Sequence, residues 1–440
     1  VNVTTASRIS IEDNMGWVLT ITLIMTILFS VPVGMALAIS ALAGILYISS
    51  DVLVMLPQKF LSGLDSFPLL AIPLFVLAGQ LISQGGLARR IIDLAMVFVG
   101  RIFGGLGIMV IFSTMLMSGI SGSPSANTAA IGSVAIPAMK KMKYPPQFAT
   151  AILAAAGGVS TLVPPAIDLI IIGVIANISI GGLFAAGVLP AVVNGLGIMI
   201  LAYYYSRRMG LPLGEKIPLR KKLTIIKDGF LPILMVFIIL GGIYGGVFTP
   251  TEAASVAVVY GFVVSFFVYR ELKLDDLPRV LLQTASLTGV VLLVLATASM
   301  LSFVLTFERI PHLLAQAITN FSDNWIVFIL LVHVVFLVLG MVMDALPPII
   351  VLMPILVPVA VSLGMDAMHI GILVAANVGL GMVSPPVGIC LYVSCGISQT
   401  PIEKVVKPLL PFLLVLIVTL MVITFFPEIT LFLPRILGFL

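Results

Sequence analysis

The sequence predicts an all-α polytopic membrane protein made of two inverted repeats, each with a re-entrant helical hairpin and a broken transmembrane helix. Three observations predict it. Only 9% of the 440 residues are charged and mean hydropathy is +1.26; an ordinary soluble domain carries about a quarter charged residues. Charge-free windows such as Ile102 to Met139, Tyr144 to Ile167 and Leu169 to Ser206 are long enough to cross a ~30 Å hydrocarbon core. Gly- and Pro-rich interruptions recur at a fixed offset. This composition excludes a soluble enzyme, a nucleic-acid binder and a disulfide scaffold.

The amino-terminal stretch Val1 to Asn14 is polar and acidic, and no small-residue cleavage pattern follows the first apolar run, so a cleavable signal peptide is not expected. Spans or half-spans are expected near 17–29, 32–48, 67–84, 102–139, 147–178, 183–205, 231–248, 251–269, 281–305, 325–363, 369–398 and 408–426. Two of them, 102–139 and 325–363, have polar or Pro-rich middles: Ser121-Gly-Ser-Pro-Ser-Ala-Asn-Thr128 and Met343-Asp-Ala-Leu-Pro-Pro348. Each reads as a hairpin whose tip lies inside the protein, because non-helical backbone at membrane depth must be buried in protein or line a cavity. The runs that follow are interrupted by Gly157 to Pro165 and Gly379 to Pro386. Gly and Pro there unwind a helix midway.

Adding 221 carries Gly119, Pro137, Gly158, Pro164, Pro165 and Pro190 onto Gly340, Pro358, Gly379, Pro385, Pro386 and Pro411, the pattern of an internal duplication. With each hairpin entering and leaving on one side, 18 of the 22 Lys and Arg fall on a single side, leaving Arg8, Lys59, Arg309 and Arg435 opposite. That side is then cytoplasmic. The first hairpin opens to the cytoplasm, the second opens outward, and both chain ends lie outside. Inverted repeats with discontinuous helices point to a secondary transporter with a midplane site. No phosphate-binding Gly-Lys-Ser/Thr loop is present, so pumping draws on an ion gradient or a partner.

The first tip offers hydroxyls, an amide and exposed carbonyls just before a half-helix, whose amino end attracts anions while unwound carbonyls bind Na⁺. Its bland alternative is close helix packing by small residues. Gly157, Gly158, Ser160, Thr161, Pro164 and Pro165, paired with Asn377, Gly379, Gly381, Ser384, Pro385 and Pro386, read as cation-binding breaks or as plain kinks. Asp344 is a lone charge among apolar residues, costing at least ~2.5 kcal/mol on insertion scales, to be offset by Na⁺, by protonation or by backbone N–H groups. Asp168 and Glu252 are each either functional or helix caps; for Glu252 the cap is preferred. His312, His333 and His369 form no metal motif and read as packing or interfacial residues. Trp17 and Trp325 read as interfacial anchors, and Cys390 and Cys395 as apolar filler.

The motifs Gly246-Val-Phe-Thr-Pro-Thr-Glu-Ala-Ala254, Ser121 to Gly132 with Ile136-Pro-Ala-Met139, and Gly157 to Pro165 resemble the large membrane subunit of TRAP transporters, the tripartite ATP-independent periplasmic family, over nearly the whole chain. The resemblance implies a Na⁺-driven elevator that imports an organic acid such as a C4-dicarboxylate or sialic acid. It implies as partners a small four-helix membrane subunit and a periplasmic substrate-binding protein, in the bacterial inner membrane. It places Na⁺ at Ser121, Ser123 and Asn127 with Gly158 and Thr161, and at Asp344 with Gly379, Met382 and Ser384. The substrate-facing candidates are Ser123, Ser125, Asn127, Thr128, Pro165, Asp168, Pro347 and Pro386. Asn127, Ala166 and Ile172 depart from the Asp, Ser and Tyr frequent in the family.

The expected division is 1–66 scaffold, 67–182 transport half with hairpin 1, 183–280 scaffold with a basic loop, 281–407 transport half with hairpin 2, and 408–440 a C-terminal helix. Two other readings compete with the tripartite one. A stand-alone divalent-anion/Na⁺ symporter or antiporter shares the hairpin architecture. An intramembrane enzyme requires Asp168 and Asp344 to be a catalytic pair, which no motif supports.

Overall fold

In the computed structural model the described residues are 5–48, 52–214, 217–308 and 324–440, with side chains from residue 16 onward except Ile48. The side chain of Arg8 and residues Lys216, Arg309 and His312 lie outside them. The described residues are helical throughout their regular structure, and eight helices or helix runs among them are long and apolar enough to cross a membrane.

The chain opens with α1 (Thr5–Leu28), α2 (Val33–Ile48) and the short α3 (Met55–Ser62), followed by α4 (Ala71–Gln84) and α5 (Leu87–Val99). Hairpin 1 is α6 (Gly105–Ser121) and α7 (Pro124–Lys141); the first broken helix is α8 (Pro146–Val159) and α9 (Ile167–Ala176). Four long helices follow: α10 (Ile180–Arg208), α11 (Leu219–Tyr244), α12 (Pro250–Val263) and α13 (Leu277–Phe307). Hairpin 2 is α14 (Trp325–Val342) and α15 (Leu346–Ser362); the second broken helix is α16 (Ala367–Gly381) and α17 (Ile389–Ser398). α18 (Ile402–Phe425) and α19 (Glu428–Ile436) close the chain.

The two halves pack by one rule. The first arm of each hairpin lies on the first half of its own broken helix, α6 on α8 and α14 on α16. The second arm lies on the second half of the other broken helix, α7 on α17 and α15 on α9. Local geometry repeats with the same offset: Pro137 and Pro358 sit inside α7 and α15, and Pro190 and Pro411 inside α10 and α18. Lys143 and Gly364, 221 apart, both take positive φ after the hairpins (57° and 82°). The Pro164–Pro165 and Pro385–Pro386 bonds are both cis.

The core is formed by α8 and α16, in which every residue from Phe148 to Val159 and from Met368 to Gly381 is buried. Their apolar residues run all round the helix, as a fully enclosed helix requires. Ala and Gly let the backbones approach, and the two helices cross at Gly158 and Gly379, where a Cβ on Gly158 would stand 2.7 Å from the Gly379 carbonyl oxygen. By contrast α11 turns large apolar side chains such as Phe230 and Phe237 outward, the face expected toward lipid.

Polar contacts fix the ends of the helices. Lys140 Nζ donates to the Ser398 carbonyl at the carboxyl end of α17 (2.8 Å), where a cation also meets the negative end of the helix dipole. Arg90 of α5 pairs with Glu271 at 2.7 Å and lies 3.7 Å over the Tyr269 ring. Glu252 is a cap: its carboxylate accepts from the Thr249 N–H (2.8 Å) while Thr249 Oγ1 accepts from the Glu252 N–H (3.3 Å). This reciprocal pair satisfies two of the open donors at the start of α12.

Candidate functional site

Both hairpin tips meet the breaks of their own broken helices, and the two breaks meet each other. At the first tip Gly122 takes φ +65°, a left-handed turn open to glycine without strain, and its carbonyl accepts from the Ile167 N–H at the start of α9 (3.2 Å). At the second tip the Met341 carbonyl accepts from the Gly388 N–H (3.0 Å). Position 388 is 167 plus 221, so the same backbone tie recurs within two residues on the tip side. Between the breaks, Gly158 and Gly379 pack backbone to backbone, with Thr161 Oγ1 beside them.

The first tip is enclosed and internally bonded. Ser121 Oγ donates to Asn127 Oδ1 (2.5 Å), Thr128 Oγ1 to the Pro124 carbonyl (2.8 Å), and Ser118 Oγ to the Ser160 carbonyl (2.7 Å). Asn127, Thr128, Ser160 and Thr161 are fully buried; Ser123 and Ser125 are half-buried. Thr161 Oγ1 donates to the Gly158 carbonyl (3.2 Å). Pro165 is buried beside Gly122, and Asp168, also buried, lies in the first turn of α9 with no side-chain cap bond at that helix.

The second tip is more open. Asp344 is exposed at its apex, with Oδ1 accepting from the Ala345 N–H (2.8 Å). Pro347 is half-buried in the first turn of α15, and Pro386 is exposed where its counterpart Pro165 is buried. Gly379 and Met382 are buried; the Met382 carbonyl accepts from the Cys390 N–H (2.9 Å), and Ser384 Oγ donates back to the Leu380 carbonyl (2.8 Å). Gly157 of the first broken helix lies against both Thr128 of hairpin 1 and Cys390 of the second broken helix. The two halves therefore contribute to one locus.

Several polar atoms there have no hydrogen-bond partner among the described residues: Asn127 Nδ2, Ser160 Oγ, Asp168 Oδ2 and Asn377 Oδ1. Buried polar groups are almost always hydrogen-bonded, so such atoms mark places where water, an ion or a ligand belongs. The set includes an amide donor suited to an anion and carboxylate, amide and hydroxyl oxygens suited to a hard cation. No cluster of three or more His, Cys, Asp or Glu able to hold a metal occurs among the described residues. Na⁺ fits an oxygen set of this kind; a transition metal, which prefers imidazole and thiolate, does not.

Sequence reasoning missed two contributors, Ser118 and His333. Ser118 lies a turn before the tip motif and bonds the break; only its place one turn before Ser121 signals it. His333 is more than a packing residue. Thr424 Oγ1 donates to the Leu420 carbonyl, His333 Nε2 donates to Thr424 Oγ1 (2.9 Å), and His333 Nδ1 and carbonyl accept from Asn377 Nδ2 (3.0 and 3.1 Å). This chain joins α14, α16 and α18 and aims Asn377 Oδ1 away from His333. The signal was available: an ionisable residue in the middle of the charge-free run 325–342 is costly in lipid and needs a partner. Cys390 is buried against Gly157 beside Thr128, as an apolar filling residue would be.

With this geometry in place, the family model for the DctM component of the tripartite ATP-independent periplasmic transporters matches residues 20–429. The chain belongs to this family. It is therefore a multi-pass transport component and not an enzyme. The C4-dicarboxylate TRAP transporter large permease protein DctM of Pseudomonas aeruginosa is 38% identical over 403 residues, covering 92% of this chain and 94% of its own length. The sialic acid TRAP transporter large permease protein SiaM of Vibrio cholerae is 36% identical over 409 residues, covering 93% and 96%. In fold, this DctM component resembles the solved Alcanivorax borkumensis YdaH transporter, with TM-score 0.66 at 14% identity over 86% of this chain and 89% of that one.

Proposed function

We propose that this DctM component is the Na⁺-coupled membrane carrier of an organic acid, handed to it by a periplasmic binding protein and held together with a small membrane subunit. The observation that carries the reading is the convergence of both tips and both breaks on one locus with unpartnered buried donors and acceptors. Family membership supports the tripartite assembly, and the C4-dicarboxylate and sialic acid named for the relatives support a carboxylate substrate. In this reading Ser121, Ser123, Asn127, Gly158 and Thr161 hold one Na⁺, and Asp344, Gly379, Met382 and Ser384 hold another. Ser123, Ser125, Asn127, Thr128, Pro165, Asp168, Pro347 and Pro386 face the substrate.

Residues 67–182 and 281–407 form the moving transport halves, carried as an elevator against scaffold segments 1–66 and 183–280, with 408–440 at the end of the chain. The membrane is the bacterial inner membrane with both termini periplasmic. The Asn127 amide brings no charge but retains an oxygen ligand and adds an N–H donor, which shifts the electrostatic load for Na⁺ toward the second half.

The test is uptake of labelled succinate, malate and N-acetylneuraminate into proteoliposomes containing this chain and its small subunit, with and without an inward Na⁺ gradient and with and without the binding protein. Uptake requiring both Na⁺ and binding protein is the expected result. Uptake requiring Na⁺ alone makes the chain a stand-alone symporter instead, and uptake indifferent to Na⁺ overturns the coupling.

A further inference from the structure

A cavity of about 470 Å³, lined by none of the tip residues named above, lies between α3 and its following turn, α13, the carboxyl end of α9 and the second arm of hairpin 2. Its polar lining is Lys59, Ser62, Ser66, Ser299, Ser302 and Thr306, and its apolar lining includes Val174, Ile350 and Pro354. Its shape depends on a close approach at Gly63, where a Cβ would stand 2.5 Å from Ser299 Cβ, so the end of α3 can lie directly on α13 only without a side chain there.

The chemistry of the wall is specific. Lys59 is half-buried, lies 5.2 Å over the Phe303 ring and has no carboxylate within ion-pair distance among the described residues. Cation–π contact orients an ammonium without neutralising it. Ser62, Ser299 and Thr306 donate to backbone carbonyls (3.2, 3.0 and 2.8 Å), which leaves their oxygens as acceptors for hydroxyl groups. Ser66 and Ser302 make no such bond among the described residues and are partly accessible, so their O–H groups are available as donors. One point charge with several hydroxyls suits a single carboxylate on a polyhydroxy or short-chain acid. A phosphate group is more often met by the fork of an arginine or by several cations. Lysine also imposes no planar geometry, and the apolar Val174, Ile350 and Pro354 offer contact to a carbon skeleton.

We infer that this cavity is a receiving site for the organic acid, in which Lys59 binds one carboxylate before the acid reaches the hairpin tips. The inference rests on the carrier function proposed above and adds a second, Na⁺-independent station to it. Because Ile350 and Pro354 belong to the hairpin that carries Asp344, an acid held here already touches the element that must move. The Lys59 ammonium gives the acid a charge-assisted contact of the stronger kind.

The experiment measures maleimide labelling of Ser302→Cys by mass spectrometry in the purified complex of this chain with its small subunit, in Na⁺-free buffer, with and without succinate, malate or N-acetylneuraminate. At least one acid slows labelling roughly fivefold or more; adding Lys59→Gln abolishes the protection and Lys59→Arg restores it. In uptake, Lys59→Gln raises the acid concentration for half-maximal transport roughly tenfold, the equivalent of one lost charge-assisted hydrogen bond, without moving the Na⁺ dependence. Labelling unaffected by all three acids overturns the site. So does equal protection by phosphatidylglycerol vesicles without any acid, which would make the cavity a lipid headgroup site. A wild-type complex that imports none of the acids overturns the carrier function, while labelling of the same protein still decides the cavity.

Discussion

The two tips are built on one plan and finished differently. In the first, the hydroxyls of Ser118, Ser121 and Thr128 have protein partners while Ser123 and Ser125 are half-buried, no charge sits in the turn, and both prolines of the following break are buried. In the second, a carboxylate stands exposed at the apex, Ser384 bonds only its own helix, and Pro386 is open. The backbone ties from tip to break are matched, Gly122 to Ile167 and Met341 to Gly388, so the difference lies in side chains and not in topology. Duplication fixes where a tip must be, and substitution decides what it does there. The first apex carries no charge, and the second carries the carboxylate of Asp344.

Substitutions that break the common plan should have the largest effect. Gly158→Val or Gly379→Val puts branched carbons where even a Cβ meets the facing carbonyl. Overpacking of this kind costs about 1–3 kcal/mol or more, and either variant should lose folded protein in size-exclusion and thermal-unfolding assays. Next is the hold of the closed hairpin on its neighbour. A Cβ on Gly119 stands 3.5 Å from a methyl of Val236 on α11, so Gly119→Cys with Val236→Cys should form a disulfide that stops uptake while binding of the periplasmic partner survives. Reductant should restore uptake; full uptake in the oxidised protein would remove the elevator. The smallest effect separates the two halves directly. Ser121→Ala strips Asn127 Oδ1 of its donor and should cost roughly 1–3 kcal/mol. Ser384→Ala removes only a bond back to its own helix and should cost well under about 1 kcal/mol. Equal losses in thermal unfolding would erase the distinction.

Much of this architecture is legible in sequence because a membrane restricts what a polar or Pro-rich interruption can be. Ser121 to Thr128 and Met343 to Pro348 could sit within apolar runs only as tips that are buried in protein or line a cavity, and the offset of 221 between matched Gly and Pro pairs the halves. The Thr249–Glu252 cap was readable from local spacing alone. What sequence could not give is which side chains meet between helices. Nothing in the order of residues says that His333 holds Asn377, or that Gly63 lies against Ser299. These depend on how separate helices pack and on crossing distances that hydropathy does not encode. Orphaned atoms such as Asp168 Oδ2 appear only once all neighbours are placed.

The measurement that bears most directly on the division of labour between the halves is the Na⁺ dependence of uptake in Asp344→Asn. The account predicts normal membrane insertion and an increase of about tenfold in the Na⁺ concentration for half-maximal transport, as expected when a carboxylate near a bound cation is replaced by a neutral amide. A Na⁺ dependence identical to wild type would contradict it and leave the open tip without the charge-bearing role assigned to it.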